Sequence, residues 1–349
     1  MARLRRFAVG DPQAPFDRFR RLLDHHGLLD PSGSLAPDVF LISLGDHFDY
    51  GSSDERREAA DNGLELLSWL ASHPPEQVVL IAGNHDLGRV GELAAFSDEG
   101  FDQASEAATS AYRDGDVDPA LERALLERYP ALPTAELAAR DFAAFTVAQR
   151  DLVAELLRAR RLRLAHAEGG RLFCHAGVTI DYLQAWGLPA DASAEQIADA
   201  LDHRLDEAFA AWTGAPLAIP DVHQPGSSTQ GEGVGMLYHR PANPALEGRA
   251  LEGTMKRRFD PRRIPLGLTQ VVGHIADSKC RTLLGPWCDD APARGGVLRH
   301  LITDGQSVHY AHGLPPRLEA SQGAIIFADG GMNRTPVEDY ALLEWRSSP

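Results

Sequence analysis

The chain has 349 residues, a length that accommodates one large domain or two ordinary ones. Apolar residues make up 44% and charged residues 24%, the usual balance of a globular protein, which excludes intrinsic disorder as the main state. The net charge of −16 argues against non-specific nucleic-acid binding, which requires basic surface. No apolar run approaches the ~18 residues of a membrane-spanning helix, so no membrane contact is expected.

The N-terminal segment and the cysteines bear on the cellular compartment. Residues 1–7 include basic residues, but no apolar stretch follows them, so a secretory signal is not expected. Cys174, Cys280 and Cys288 do not form a disulfide framework or a metal knuckle and are typical of reduced thiols. We therefore expect a cytoplasmic protein.

Strands and helices are predicted to alternate at the start of the chain. Apolar runs predict strands over 4–9, 39–44 and 77–82. Helical spacing of apolar residues predicts helices over 14–26 and 54–72. Because βαβ crossovers are right-handed, these three strands are expected to be parallel.

The remaining chain is predicted to add helices, loops and further strands. Residues 88–160 are rich in Ala, Glu and Arg and predict several helices without strands, whereas the Gly- and Pro-rich residues 214–268 predict long loops. Further β segments are predicted over 162–165, 171–175, 270–274, 297–303, 306–311, 323–328 and 340–345, with a helix over 193–212. We interpret residues 1–349 as a single domain in which 88–160 is a helical insertion and 214–268 a loop-rich insertion.

Polar residues stand where five of the predicted buried strands end. They are Asp11, Gln13, Asp46, Asp49, Asn84, His85, His175 and His274. Open α/β sheets bind ligands at the carboxyl ends of their strands, and Asp, Asn and His donors suit Mn, Fe or Zn. One ion does not need so many donors. We therefore expect two ions ~3.5–4 Å apart, bridged by one carboxylate and able to clamp a phosphoryl group.

The order of these motifs resembles a known family, the calcineurin-like metallophosphoesterases, and most closely its phosphoprotein-phosphatase branch. The motifs are GDPQ (10–13), GDHFDYG (45–51), GNHD (83–86), CHAG (174–177) and GH (273–274). GNHDLG and CHAGVT also resemble the symmetrical diadenosine tetraphosphatases of that branch. The resemblance implies an α/β fold with a β-sandwich core flanked by helices, an αββα arrangement, with helical insertions.

The resemblance also implies ligands for two divalent ions. They are Asp11 and Gln13 for the first ion, Asp46 as the bridge, and Asn84, His175 and His274 for the second ion. His85 would protonate the leaving oxygen, and Asp49 would hydrogen-bond His85 and fix its tautomer. A water between the ions would become hydroxide near neutral pH and attack phosphorus in line.

Two residues depart from the family pattern. Gln13 replaces a His, and its neutral amide oxygen is a weaker ligand than imidazole. Tyr50 replaces an Arg that would bind substrate phosphate bidentately, whereas a Tyr hydroxyl offers one neutral hydrogen bond. Either another Arg binds the phosphate, or the substrate is not held like a phosphoprotein. Arg240 is the leading candidate, and Arg89 and Arg334 are two others.

The leading hypothesis is a phosphohydrolase with two metal ions that acts like a Ser/Thr phosphatase on phosphomonoesters of a protein or a small molecule. A diadenosine polyphosphate or other nucleotide hydrolase is the alternative. A degenerate, non-catalytic binding protein is a third hypothesis, based on Gln13 and Tyr50. The remaining ligands and the pair His85–Asp49 favour catalysis.

Overall fold

Two large β-sheets and the helices around them make up the computed structural model, which describes residues 4–51, 53–113, 115–142, 145–246 and 257–346. The strands are β1 (Arg5–Val9), β2 (Val39–Ser43), β3 (Val78–Ile81), β4 (Tyr112–Arg113), β5 (Asp116–Val117), β6 (Leu162–Arg163), β7 (Ala165–Glu168), β8 (Arg171–Cys174), β9 (Arg240–Pro241), β10 (Arg258–Phe259), β11 (Thr269–Val272), β12 (Arg299–Thr303), β13 (Val308–His312), β14 (Gly323–Phe327) and β15 (Leu343–Trp345). The helices are α1 (Phe16–His25), α2 (Arg56–Ala71), α3 (Asn84–Gly88), α4 (Asp98–Ala111), α5 (Pro119–Arg128), α6 (Val147–Arg158), α7 (Ile180–Ala185), α8 (Ala194–Ala210) and α9 (Asp277–Leu284).

The topology of the two sheets brings the ends of the central strands together. The first sheet has the order β15-β1-β2-β3-β6, and the second has the order β13-β12-β14-β11-β8-β7. β1, β2 and β3 are parallel, as expected from the sequence, and so are β8, β11 and β14. The loops that follow these strands therefore leave each sheet at one edge. No described helix has the length and apolarity that a bilayer span requires.

Alternate side chains of the strands pack on opposite faces, which creates the layers. Ala8 and Ile42 of the first sheet share a buried cluster with Phe173 and Ile326 of the second sheet. Leu41, the neighbour of Ile42, belongs instead to the cluster that includes the buried residues of α1. The two sheets thus face each other with helices outside them, and the predicted helix-flanked β-sandwich is confirmed.

Helix α1 illustrates how the outer layer forms. Its buried side chains, Phe16, Phe19, Leu22 and Leu23, recur at helical spacing and cover the sheet. Each contributes about 1.5–3 kcal/mol when fully buried, which exceeds the few tenths that intrinsic helix propensity supplies. The predicted range of 14–26 is close to the observed helix.

Residues 88–160 are mainly helical, as predicted, but they also contain strands. β4 and β5 form a short antiparallel hairpin in which Tyr112 pairs with Val117. The expectation of no strand here is therefore wrong, because two-residue strands leave no periodic signal in the sequence. Residues 214–268 are mostly irregular, with short strands β9 and β10. Residues 247–256 of that predicted loop lie outside the described part of the chain.

The segment 162–165, predicted as one strand, is divided between the two sheets. β6 pairs with β3 of the first sheet, whereas β7 pairs with β8 of the second. The backbone N–H groups of Leu164 and Ala165 donate to Asp202 Oδ1 of α8, at 2.9 and 3.3 Å. Asp202 thus satisfies amides at the point where the chain crosses between sheets. A short apolar run contains no signal for such a crossing.

Asp202 should make the stability of the fold depend on pH. Burial raises the pKa of Asp202 to about 6, above the ~3.9 of an unfolded chain. Folding therefore favours the protonated carboxyl, and this stabilisation is fully present below about pH 4 and lost as the pH rises through 6. Asp202→Asn keeps an oxygen acceptor and should raise the free energy of unfolding more at pH 8 than at pH 5, by about 1 kcal/mol, in urea denaturation.

The control is Asp199→Asn, an exposed position on the same helix. It should change the free energy of unfolding equally at the two pH values. The same pH-independent behaviour in Asp202→Asn would show that Asp202 does not titrate in this range.

Candidate metal centre

Four side chains from both sheets bring their donor atoms together. His175 Nε2 lies 3.2 Å from Asn84 Oδ1, 3.1 Å from His274 Nδ1 and 3.4 Å from Asp46 Oδ2. Donors that share one ion at about 2.0–2.2 Å lie roughly 3.0–3.5 Å from one another. The spacing therefore fits a divalent ion, in the place that the sequence predicts for the second ion.

Hydrogen bonds and burial fix the state of these donors. His175 Nδ1 lies 2.8 Å from the Leu44 carbonyl and donates to it, which leaves Nε2 as the donor for a cation. Burial, and next to it the charge of Arg240, hold the pKa of His274 well below its usual value. His274 is therefore neutral, the form that ligates metals. Asp46 Oδ1 accepts the backbone N–H of His85 at 2.9 Å, which leaves Oδ2 facing the histidines.

Asp11 lies beside this group and is also buried. Both its oxygens accept the backbone N–H of His274, at 2.9 and 3.0 Å. Burial, followed by the charge of Asp329, raises the pKa of Asp11 well above its usual value. Uncompensated negative charge of this kind is what a cation relieves. This observation supports the place predicted for the first ion.

Asp329 also lies at the candidate site, although its Asp-Gly-Gly sequence by itself indicates only a structural turn. Its Oδ1 does accept the Gly331 N–H at 2.8 Å, as in a turn. However, the side chain is also buried, lies on the wall of the same cavity as Asp11 and raises the pKa of that carboxyl. A signal was present, since Asp329 follows buried strand β14 closely, as Asp11 follows β1.

The side-chain amide of Gln13 is oriented by a hydrogen bond from its nitrogen to the backbone. Its Nε2 donates to the Phe48 carbonyl at 2.8 Å, which leaves Oε1 as the atom available to a cation. We expect the first ion to bind more weakly than the second, because it would have this neutral ligand in place of an imidazole. Metal titration of chelator-stripped protein should show two unequal steps. Gln13→Ala should weaken the weaker step about tenfold, and Gln13→His should tighten it.

The matched control is Gln306→Ala, which removes an exposed amide. This variant should leave both steps unchanged. If Gln13→Ala also leaves both steps unchanged, Gln13 is not a ligand and serves only to bond the loop backbone.

His85 lies next to the donor cluster, and a hydrogen bond to Asp49 orients its ring. Its Nδ1 donates to Asp49 Oδ2 at 2.7 Å, and its Nε2 lies 3.9 Å from Asp46 Oδ2. Burial lowers the pKa of His85, but the carboxylates of Asp46 and Asp49 outweigh it and raise the pKa to about 9. Because Nδ1 is held by Asp49, Nε2 is the nitrogen of His85 that faces the site.

Arg89 is a positioning residue, so its interpretation as a phosphate contact is wrong. Its side chain is fully buried, and Nη2 lies 2.7 Å from Asp49 Oδ2, the oxygen that also binds His85. Its Nε donates to Gln149 Oε1 at 3.1 Å, and its guanidinium lies 4.7 Å from the Phe48 ring centre. A guanidinium enclosed in this way fixes Asp49 and does not reach a substrate.

Asp86 ties together the two loops that position Asp46 and Asn84. Its carboxylate accepts the backbone N–H groups of Asp46, His47 and Gly83, at 2.9, 3.0 and 2.8 Å. Burial alone would raise the pKa of Asp86, but His47 and these N–H groups lower it. No local sequence pattern distinguishes Asp86 from its neighbours, because its role depends on a loop about 40 residues away.

The backbone of the site is strained and tightly packed. Asp46, Asp49 and His274 have φ angles of 55°, 67° and 70°, in the left-handed region that disfavours side chains by roughly 1–2 kcal/mol. A Cβ at Gly83 would collide with Asp46 Oδ1, and one at Gly273 would collide with Asp11 Oδ1. Glycine is therefore required at both positions, and the site residues are held in one arrangement.

The two predicted substrate residues, Tyr50 and Arg240, line two different pockets, and His85 borders both of them. Tyr50 is 6% exposed, and its buried hydroxyl has no hydrogen-bond partner among the described residues. Arg240 is buried, and its Nη1 donates to Glu232 Oε1 and to the Tyr238 carbonyl, both at 2.7 Å. Arg240 lines a small pocket of about 30 Å³ together with Asn84 and His85.

An open cavity of about 320 Å³ gives access to the site. Its walls include Asp11, Gln13, Asp49, Tyr50, His85, Arg140, Asp141, Asp329 and Arg334. Most of the residues that line the cavity are polar or charged, and the cavity has room for a phosphate group with part of its ester. His85 lines this cavity and is therefore reachable from solvent.

The comparisons agree with this chemistry. The family model of the calcineurin-like phosphoesterases matches residues 4–180, more than half of the chain. The chain therefore belongs to the calcineurin-like phosphoesterase family. The matched segment contains all the predicted site residues except His274 and the candidate arginines Arg240 and Arg334.

Solved structures with low similarity also align with the chain. A cold-active protein-tyrosine phosphatase of a psychrophilic Shewanella sp. is 13% identical, with a TM-score of 0.39, over 95% of this chain and 72% of that chain. Another structure of a cold-active protein tyrosine phosphatase and a point mutant are each 16% identical, with TM-scores of 0.33, over 59% of this chain. The present chain spans about half of their length, 49% and 50%. Comparison with curated proteins gives no match.

Proposed function

We propose that this chain hydrolyses phosphate monoesters of a protein or a small molecule, with two divalent ions and with His85 as the general acid. The observation that supports this most strongly is the cluster of donors around His175 Nε2, 3.1–3.4 Å apart, with His85 Nε2 3.9 Å from Asp46 Oδ2. A non-catalytic binding protein would have no need for an imidazole that Asp49 orients beside a cluster of metal-ligand donors.

In the proposed reaction, different residues bind the ions, donate the proton and contact the substrate. Asp11, Gln13 and Asp46 would hold the first ion, and Asp46, Asn84, His175 and His274 the second. When bound, the ions would supply the charge that activates a water and neutralises phosphoryl oxygens. Asp49 and Arg89 would hold the His85 ring in place, so that its Nε2 proton faces the oxygen that leaves phosphorus. Arg240 and Tyr50 would contact the substrate from the two pockets that His85 borders.

Metal analysis together with turnover tests this proposal. Protein stripped by a chelator and reloaded with Mn²⁺ should contain two ions per chain and should hydrolyse p-nitrophenyl phosphate. Both properties should be absent from the stripped protein. A reloaded protein with no bound ion and no turnover would contradict the proposal and favour a binding function.

The substrate class needs a separate comparison. A phosphopeptide, a nucleoside monophosphate and diadenosine tetraphosphate should be compared by kcat/KM under the same conditions. We expect the monoesters to be hydrolysed faster. A preference for diadenosine tetraphosphate would instead favour the alternative, a dinucleoside polyphosphate hydrolase.

A further inference from the structure

A phosphate group in the open cavity requires a cationic side chain, and the motif that contains Tyr50 does not supply one. Tyr50 stands where the family motif has an Arg, and a phenol provides no positive charge for phosphate oxygens. Arg89 is enclosed with Asp49, and Arg240 Nη1 is bonded to Glu232. Neither of these arginines lines the open cavity.

Two other arginines do line the open cavity, and their environments differ. Arg140 forms ion pairs with Glu136 and Asp141, at 2.9 and 3.2 Å, so its charge is already compensated. The side chain of Arg334 is exposed, and within the described ranges it has no hydrogen-bond or ion-pair partner. Arg334 is therefore the guanidinium on this wall with free donors.

The loop that presents Arg334 is held from both sides. Arg18 Nε donates to the Met332 carbonyl at 2.7 Å, and Arg18 Nη2 donates to the Thr335 carbonyl. Thr335 Oγ1 donates to the Gly330 carbonyl at 2.8 Å. The backbone on either side of Arg334 is thus fixed, while the side chain remains free to close on a ligand. A preorganised position of this kind lowers the entropic cost of binding.

We propose that Arg334 binds the phosphate oxygens of the substrate and so takes the role that Tyr50 cannot perform. This inference rests on the proposed function, because it names a substrate contact for the same reaction. A guanidinium can bind two phosphate oxygens at once, whereas an ammonium acts as a point charge. The same contact would hold inorganic phosphate, the product.

Binding of inorganic phosphate to the Mn²⁺-loaded protein tests the proposal. In calorimetric titration, Arg334→Ala should weaken phosphate binding about 10- to 100-fold, and Arg334→Lys should recover part of the loss. The KM for p-nitrophenyl phosphate should rise by a similar factor with a smaller change in kcat. The control Arg317→Ala, at an exposed position outside the cavity, should match the wild type. Metal content should be unchanged in all variants.

The possible failures can be distinguished. If the wild type binds phosphate and turns over substrate, and Arg334→Ala does so equally well, the inference is wrong and the proposed function stands. If Arg334→Ala impairs only substrates with a second anionic group, Arg334 does not bind the reacting phosphate, and the inference is also wrong. If the wild type neither binds phosphate nor hydrolyses the ester, the proposed function fails and this contact with it.

Discussion

Asp46→Asn should lose metal and activity together. In the proposed site Asp46 would bridge the two ions. Its Oδ2 lies 3.4 Å from His175 Nε2, and its Oδ1 accepts the backbone N–H of His85. The substitution would remove a full negative charge from between the proposed ions, and an amide nitrogen cannot ligate them in its place. We expect elemental analysis to find less than one tightly bound ion per chain. We also expect kcat/KM to fall by roughly 10³-fold or more, since the ions supply several kcal/mol of transition-state stabilisation.

Folding must be separated from metal loss in this variant. The Asn side chain can still accept the His85 N–H through Oδ1, so the loop should keep its conformation. Chelator-stripped Asp46→Asn should therefore have the same circular dichroism as stripped wild type, and Asp199→Asn should retain both metal and activity. Two tightly bound ions in Asp46→Asn would show that Asp46 does not bridge them.

His85→Asn should lower kcat and leave the metal content intact. His85 donates to Asp49 through Nδ1, and its Nε2 lies 3.9 Å from Asp46 Oδ2, a position suited to proton donation rather than ligation. Loss of a positioned general acid lowers the rate about 10²–10⁴-fold when the leaving oxygen is a strong base. The loss should therefore be large for an alkyl phosphate and much smaller for p-nitrophenyl phosphate, whose leaving group needs no proton.

The ratio of the two losses is the decisive measurement. Equal losses with the two esters would contradict the general-acid role. Loss of metal would instead make His85 a ligand. Asp49→Asn serves as the companion variant, because it keeps His85 but weakens the contact that orients the ring. We expect it to show the same leaving-group dependence with a smaller amplitude.

Much of the fold was accessible from the sequence, because strands buried on both faces leave long apolar runs. The segments 39–44 and 77–82 were recognisable for this reason, and so were the polar residues that follow them. The division of 162–165 between two sheets was not accessible, because nothing local distinguishes Leu162 from Ala165. The crossing depends on Asp202, which is distant in sequence.

The candidate site divides in a similar way. Residues such as Asp46 and His175 belong to motifs at strand ends, so sequence order suffices to find them. Asp86 and Arg89 act through contacts to other loops. The roles of their charges cannot be predicted from the sequence, because they depend on which residues the fold brings next to them. The positive φ angle of His274 is likewise a property of tertiary packing, since no local feature of the sequence demands it.

The donor cluster combines residues from both sheets, and this has a consequence for the nascent chain. Asp11, Asp46 and Asn84 leave the ribosome first, but without His175 and His274 they offer only oxygen donors. The second sheet cannot close before β14 is made, because β14 lies between β11 and β12. Domains fold largely as units during synthesis, so the nitrogen donors join the oxygen donors late. A nascent chain that ends before His274 therefore lacks one of the four clustered donors, so the complete donor cluster can form only late in translation.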